Sequence, residues 1–300
     1  MTLEQLRIFI AVAEREHLTR ASQSLNLTQS AVSAAIANLE ARYDTKLFDR
    51  IGRGIALTEA GRLFLPEARA VLARAHGAEQ TLYEVTGGVR GQLKVAASQT
   101  VANFWLPERL ALFQQQYPTL SLGMDIGNTD QAIQKILSGE ADMGVIEGRV
   151  DDPRLSVRPL AGDRLILISP ADMVLPDTLT KTDWASFRFV VRERGSGTRH
   201  ILEAHLADMG LRLEASQIVM ELPSNEAVRG IVEAGLGVSL QSELVARRAL
   251  RAGLIQSRDV GLAPRPFYLI RLKERGMTRV ESAFASICEG QEPLTGSGAE

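Results

Sequence analysis

The sequence predicts three short helices followed by a β-wing, then one long helix, then an α/β body of two lobes. Three observations carry that expectation. Apolar residues recur at spacings of three and four from Leu3 to Tyr43, a narrow apolar seam runs from Phe64 to Val85, and from Gln92 onward short apolar runs alternate with helical periods. The 300 residues suggest about two domains, and a hydrophobic share of 45% with 23% charged residues is that of a soluble globular chain.

Leu3, Leu6, Phe9, Ile10 and Ala13 form the stripe of a first helix. Thr19 can cap a second, short helix with Ala21 and Leu25 on its buried side; Asn26 tolerates a left-handed turn; Thr28 can cap a third helix. On that third helix Val32, Ala35, Ile36, Leu39 and Tyr43 share one face and leave Gln29, Ser30, Ser33 and Asn38 off it. Small amides and hydroxyls near a helix start hydrogen-bond to base edges when the helix enters the major groove of DNA. Leu47 to Leu57 reads as two short strands around a Gly52-Arg53-Gly54 tip, a wing whose Arg50 and Arg53 meet phosphates. The candidate DNA-binding residues are therefore Arg20, Thr28, Gln29, Ser30, Ser33, Arg50 and Arg53, in a winged helix-turn-helix domain spanning 1–58. A two-helix hairpin with a polar outer face also occurs in helical proteins that never meet DNA; the flanking helix and the wing favour DNA here.

Charge argues against one copy acting alone. Residues 1–90 hold 11 Lys and Arg against 10 Asp and Glu, and the remainder hold 23 against 26. Affinity for DNA comes largely from neutralised phosphates, so a nearly neutral head needs local placement of Arg20, Arg50, Arg53 and Arg62, multiplied by further copies. From the cap Thr58 a helix can run to about Val85, roughly 40 Å. Phe64, Ala68, Val71, Ala75, Ala78, Leu82 and Val85 make a heptad seam along it, which asks for a partner helix, against the alternative of a helix lying on its own domain. Pro66 should bend it near its start. Gly87, Gly88 and Gly91 then end the linker, 59–88, and form a hinge.

In the body, Leu93 to Ala97 reads as a strand, about Ala102 to Tyr117 as a helix, Leu120 to Ile126 as a strand, Thr129 to Leu137 as a helix and Met143 to Ile146 as a strand. A second round takes in strands at Arg164 to Ile168 and Phe189 to Val191, a helix after Gly197, a strand at Ile218 to Leu222, a helix at Ser224 to Ala234, and a strand at Val238 to Leu240. A strand at Phe267 to Ile270 and a helix near Thr278 to Glu289 close it. The alternation predicts parallel sheets with right-handed crossovers. Within 91–290, lobe I takes about 91–161 and 266–290 and lobe II about 162–265, with crossings near Gly162 and Pro264 to Pro266. The Gly-, Ser- and Glu-rich tail, 291–300, is expected to fray.

The segments LEQLRIFIAVA at 3–13, TQSAVS at 28–33, IANLE at 36–40, and LFDR with LTEAG within 47–61 resemble the LysR-type transcriptional regulators, over essentially the whole chain. The resemblance implies a dimerising linker helix and a periplasmic-binding-protein-like effector domain that holds a ligand between its lobes. It also implies a homodimer on a partly palindromic operator in double-stranded DNA, pairing into a homotetramer that bends the DNA and alters contact with RNA polymerase. One departure is Ala34, Ala35 and Ala37, where many relatives carry longer polar or basic side chains; base contacts then rest on few residues.

Ligands of open α/β sheets collect at the carboxyl ends of strands. Four such junctions carry polar residues: Ser98, Gln99 and Thr100; Gly127, Asn128 and Thr129; Glu147-Gly148; and the turn from Arg192 to Arg199. In the last, backbone donors at a helix start, the hydroxyls of Ser196 and Thr198 and the charge of Arg194 or Arg199 favour an anion. Glu147 repels anions unless it pairs with an arginine or accepts from a ligand hydroxyl or amine, so it can set selectivity. At any one junction Ser or Thr is as easily a plain helix cap; convergence of four is harder to dismiss. The candidate effector-binding residues are Ser98, Gln99, Thr100, Asn128, Thr129, Glu147, Arg194, Ser196 and Thr198. Their segments resemble a branch of the family that controls sulfur assimilation, sulfite response or carbon fixation, which implies sulfite, sulfate or a small phosphorylated or carboxylated metabolite as effector.

Catalysis lacks its parts. His200 and His205 are off the spacing that aligns two metal ligands on a helix face, Ser98 has no base beside it, and the Gly195 to Thr198 turn lacks the lysine of a phosphate loop. No catalytic residue, metal or cofactor is expected, and an enzyme or simple ligand-binding protein on the same two-lobe fold is the alternative. Cys288, the single cysteine, reads as a small buried side chain on the last helix. The start, MTLEQLRIF, lacks a secretory signal, and no run of about 18 apolar residues spans a bilayer. A cytoplasmic protein with no membrane partner is expected.

Overall fold

The computed structural model describes residues 1–51, 54–85, 92–148, 150–274 and 276–290. Arg53, the hinge glycines Gly87, Gly88 and Gly91, and the tail 291–300 lie outside the described residues.

The N-terminal unit is built from α1 (Leu3–Arg15), α2 (Leu18–Leu25), α3 (Gln29–Tyr43), the wing strands β1 (Phe48–Ile51) and β2 (Gly54–Leu57), and α4 (Glu59–Val85). Thr2 and Gln5 close a capping box that starts α1. Leu6, Phe9, Val12, Ala21, Val32, Ile36 and Leu39 are buried together as the head's core. Two expectations need correction at its edge: Leu3 and Tyr43, at the outer ends of α1 and α3, are 43% and 53% exposed. A third concerns α2. Its cap is His17, which has the extended backbone a cap requires, so Thr19 falls inside the first turn and turns its hydroxyl to Gln29 Oε1 at 3.2 Å. Asn26 takes the left-handed turn at φ 55°, and Thr28 caps α3 by accepting from the Ala31 N–H at 3.2 Å.

β1 and β2 pair antiparallel from Phe48↔Leu57 to Ile51↔Gly54. What ties this wing to α3 is Glu40. Its buried carboxylate accepts from the Leu47 and Phe48 N–H groups at 2.8 and 3.2 Å and from Lys46 Nζ at 2.8 Å. Thr58 caps α4, as the Gly61 N–H donates to its hydroxyl at 3.0 Å. The expected seam divides in two. Phe64 and Ala68 are spent on the head's own core, with Phe64 and Phe9 ring centroids 4.9 Å apart, whereas Val71 and Leu82 are 41% and 68% exposed.

The second unit opens with β3 (Gln92–Ser98), α5 (Gln99–Phe104), α6 (Leu106–Gln116), β4 (Ser121–Gly127), α7 (Thr129–Leu137), β5 (Met143–Glu147) and β6 (Leu155–Asp163). The chain continues through β7 (Leu165–Pro170), α8 (Lys181–Ser186), β8 (Phe189–Arg192), α9 (Gly197–Asp208), β9 (Ile218–Leu222), α10 (Asn225–Glu233), β10 (Ser239–Ser242), α11 (Glu243–Arg251) and β11 (Ile255–Asp259). It closes with β12 (Arg265–Leu272) and α12 (Arg279–Cys288). Lobe I is a five-stranded sheet in the order β4-β3-β5-β12-β6; lobe II joins β10-β7-β11 to β8-β9 through a bridge between Phe189 and Val238.

The expectation of parallel sheets holds for β4-β3-β5 and for β8-β9 but fails for the rest. β12 runs antiparallel to both β5 and β6. The reason is the path: the chain leaves lobe I along β6 and returns along β12, so the two crossing strands point in opposite directions. β7 is likewise antiparallel to β10 and β11. The single helix expected from Ala102 to Tyr117 is two, broken at Trp105, because Pro107 has no N–H to give the preceding turn. At the crossing, Arg265 and Asp163 form a buried pair, Nε to Oδ1 at 2.6 Å and Nη2 to Oδ2 at 3.1 Å. Gly162 is needed beside it, since a Cβ there would stand 1.8 Å from the Arg265 carbonyl oxygen. Cys288 is buried on α12, and burial pushes its thiol up to about 12.

Candidate functional site

On the head, Arg20, Thr28, Gln29, Ser30, Ser33 and Arg50 are all exposed. Thr28 and Gln29 are partly committed: the Thr28 hydroxyl caps α3 and lies 3.0 Å from Ser30 Oγ, and the Gln29 amide oxygen accepts from Thr19. Ser30, Ser33, Ala34, Ala37 and Asn38 leave the outer edge of α3 polar and sterically low.

In the second unit the polar junctions meet where the lobes face each other. Ser98, Thr100, Asn128, Thr129, Glu147, Ser196 and Thr198 are buried, Gln99 is half-buried and Arg194 is exposed. Glu147 ends β5 at the centre. Ser98 donates to its carboxylate and Thr129 Oγ1 to its carbonyl at 2.8 Å. Burial pushes the Glu147 carboxyl up and neighbouring Asp163 adds to the shift, while Arg265 opposes it. Two buried carboxylates thus share one buried guanidinium, which also donates to Thr198 Oγ1 at 3.2 Å.

Two sets of hydrogen bonds draw the lobes together on either side of that centre. Asn225, the first residue of α10, donates from Nδ2 to Thr100 Oγ1 at 3.0 Å and from its N–H to Gln99 Oε1 at 3.2 Å; Gln99 Nε2 donates to the Pro223 carbonyl at 2.5 Å. Asn128 Nδ2 donates to Glu193 Oε1 at 3.1 Å and to the Arg194 carbonyl at 3.3 Å. Gly197 permits the approach, because a Cβ there would lie 2.6 Å from the Glu147 carbonyl oxygen. A cleft of about 500 Å3 opens beside the start of α9, lined by Thr129, Gly148, Arg194, Ser196, Gly197 and His200 among others. Ser196 occupies the cap position of α9 without capping it, and its buried hydroxyl has no partner among the described residues.

The profile described as "Bacterial regulatory helix-turn-helix protein, lysR family" matches residues 3–62, and that described as "LysR substrate binding domain" matches residues 86–292. The chain belongs to the LysR-type transcriptional regulators. It is 33% identical over 292 residues to the "Uncharacterized HTH-type transcriptional regulator YeiE" of Escherichia coli (strain K12), covering 96% of this chain and 97% of the relative. It is 31% identical over 288 residues to the "RuBisCO operon transcriptional regulator" of Allochromatium vinosum, covering 95% and 94%. In fold it is similar to full-length CbnR in a crystal structure with its target DNA, at a TM-score of 0.68 and 23% identity, over 96% of this chain and 99% of that one.

In this LysR-type regulator the polar junctions come together as their positions in the sequence suggest, but the cations beside them are differently used. Arg199 is spent on Glu203 and Glu221, with Nε to Oε1 at 2.8 Å and Nη1 to Oε2 at 2.5 Å, so of the two arginines named for the turn Arg194 is the one that faces the cleft with no side-chain partner among the described residues. Arg192, Arg199 and Arg265 are all buried; Arg192 entered the sequence analysis only as the first residue of the turn, and Arg265 not at all. Asn225 and Asp163 were missed as well; their only local signal is a polar residue between a proline or glycine and an apolar run. Among the described residues no group of His, Cys, Asp and Glu is placed to hold a metal, and no helix is long and apolar enough to cross a membrane.

Proposed function

We propose that this DNA-binding regulator senses a small anionic effector between the lobes of 91–290 and passes its presence to paired heads, 1–58, through the linker helix 59–88. The observation that carries the effector reading is Ser196, a buried hydroxyl without a partner among the described residues at the open N-terminus of a 12-residue helix, beside Arg194 and a cleft large enough for a small metabolite. Glu147, pushed towards its neutral form, is compatible with an anion nearby and can donate to it. The A. vinosum relative supports a role in carbon metabolism; sulfite or sulfate is the other effector class to test. A thermal-shift screen of sulfate, sulfite, phosphate and small carboxylates on the full chain identifies the effector. Thr100→Val and Ser196→Ala are each expected to abolish the rise in melting temperature; a rise kept by both variants places the ligand elsewhere.

For DNA, the exposed polar edge of α3 supports base reading by Gln29, Ser30 and Ser33 next to the capping Thr28, with Arg20, Arg50 and Arg53 positioning the head on phosphates. Two heads of a dimer then take the half-sites of a partly palindromic operator. Pairing of dimers into a tetramer bends the DNA, and the effector alters that bend and the contact with RNA polymerase. Ser30→Ala and Ser33→Ala are expected to weaken specific binding with folding intact, whereas Arg53→Ala weakens all DNA alike. Footprints over a salt series check this, and a wild type without sequence preference defeats the assignment.

A further inference from the structure

Gln241, near the end of β10, is 1% exposed, and neither its amide oxygen nor its amide nitrogen has a hydrogen-bond partner among the described residues. A buried amide unpaired at both ends costs stability, so the group is placed for something that supplies both a donor and an acceptor. Its surroundings indicate what. The parallel bridge between Phe189 and Val238 puts Arg192 and Gln241, each three residues further on, at the same carboxyl edge of lobe II. They also share a face. Gln241 pairs across the sheet with Ile166, Arg192 follows Val190 by two, and Ile166 and Val190 lie in one core with α10 residues Val228 and Val232.

Arg192 is itself 3% exposed. Its Nη1 donates to Asn225 Oδ1 at 2.5 Å, and its Nε and Nη2 donate to the Glu193 carboxylate at 2.8 and 2.9 Å. Among the described residues two of its five N–H groups have no partner. Glu193 offsets the charge of Arg192, so this edge discriminates by hydrogen bonds more than by net charge. Asn225 connects it to Thr100 of lobe I, which makes it part of the surface between the lobes.

We infer that Gln241 and Arg192, which do not line the cleft beside α9, form a buried selective subsite at the carboxyl edge of lobe II and recognise a small oxyanion that also carries a hydrogen-bond donor, such as hydrogen phosphate or a hydroxy acid. The oxyanion accepts from the spare N–H groups of Arg192 and Gln241, and its hydroxyl donates to the Gln241 amide oxygen. This inference rests on the effector reading above and adds the ligand class to it.

The experiment is a thermal-shift comparison on the full chain with four probes matched in ionic strength: potassium phosphate, sodium glycolate, sodium sulfate and sodium acetate. Phosphate and glycolate are expected to raise the wild-type melting temperature more than sulfate and acetate, and Gln241→Met, which keeps length and volume, is expected to erase that difference. Without ligand, Gln241→Met is expected to melt no lower than wild type and up to about 2–4 °C higher. If wild type responds to none of the four probes, the anionic-effector reading itself fails. If it responds to all four equally, or if Gln241→Met keeps the preference, the assignment of Gln241 fails and the effector reading stands. A ligand-free Gln241→Met that melts lower shows the amide to be a structural group bonded through water, which also overturns the assignment.

Discussion

Glu40 shows what a single side chain does for the head. Burial alone would raise its carboxyl, but Lys46 and the N–H groups of Leu47 and Phe48 outweigh that and hold it below the ordinary 4.5. A carboxyl lowered in the folded state stabilises above its unfolded value, and the stabilisation is lost as pH falls through the lowered one. Glu40→Ala leaves the buried Leu47 N–H without its acceptor, so a loss of about 1–3 kcal/mol at pH 7 is expected. Urea titrations repeated in increasingly acidic buffer check it: the gap between wild type and variant narrows below pH 4.5, and a gap independent of pH contradicts the role given to the carboxylate. Glu40 was invisible in the sequence as a tether because two of its three partners are backbone groups. Arg265 and Asp163 were invisible for another reason: they lie 102 residues apart, and no local pattern announces a pair at that separation. Ser30 and Ser33, by contrast, were legible, since a period of three and four places them directly.

At the scale of elements, legibility follows the strength of the apolar period. α1, α3 and α4 have sustained stripes and their placement follows from them. β6 and β11 do not: β6 buries only Leu155, Leu160 and Asp163, and β11 only Ile255, so neither shows the alternation of a half-buried strand. The break between α5 and α6 was likewise unseen, although Pro107 marked it, because the apolar period continues across it. The seam of α4 was legible as a stripe but not in how it is shared. Its first two members are claimed by the head, and Val71 and Leu82 stay exposed on a helix too long to be covered by that core. We propose that a paired helix covers them. Val71→Glu with Leu82→Glu is expected to convert the dimer to monomer in light scattering after gel filtration, with far-ultraviolet dichroism retained. Unchanged mass in the double variant would place the dimer contact on another element.

At the scale of the whole molecule, the lobes bond to each other through Asn225, Asn128 and Arg265. An effector acts on DNA only through the difference in its affinity for two arrangements of the protein; tight binding to both arrangements changes nothing. That difference is reciprocal, so the factor by which the effector alters operator affinity equals the factor by which the operator alters effector affinity. Couplings of this kind commonly amount to about 5–150-fold. Anisotropy titrations of labelled operator with and without the anion chosen by the thermal screen, and calorimetric titrations of that anion with and without operator, are expected to return the same factor in that range. A factor of one in both directions, with the DNA bend still altered, would mean that the effector redistributes head positions at constant affinity. The cleft would then set the shape of the promoter complex and leave its occupancy alone.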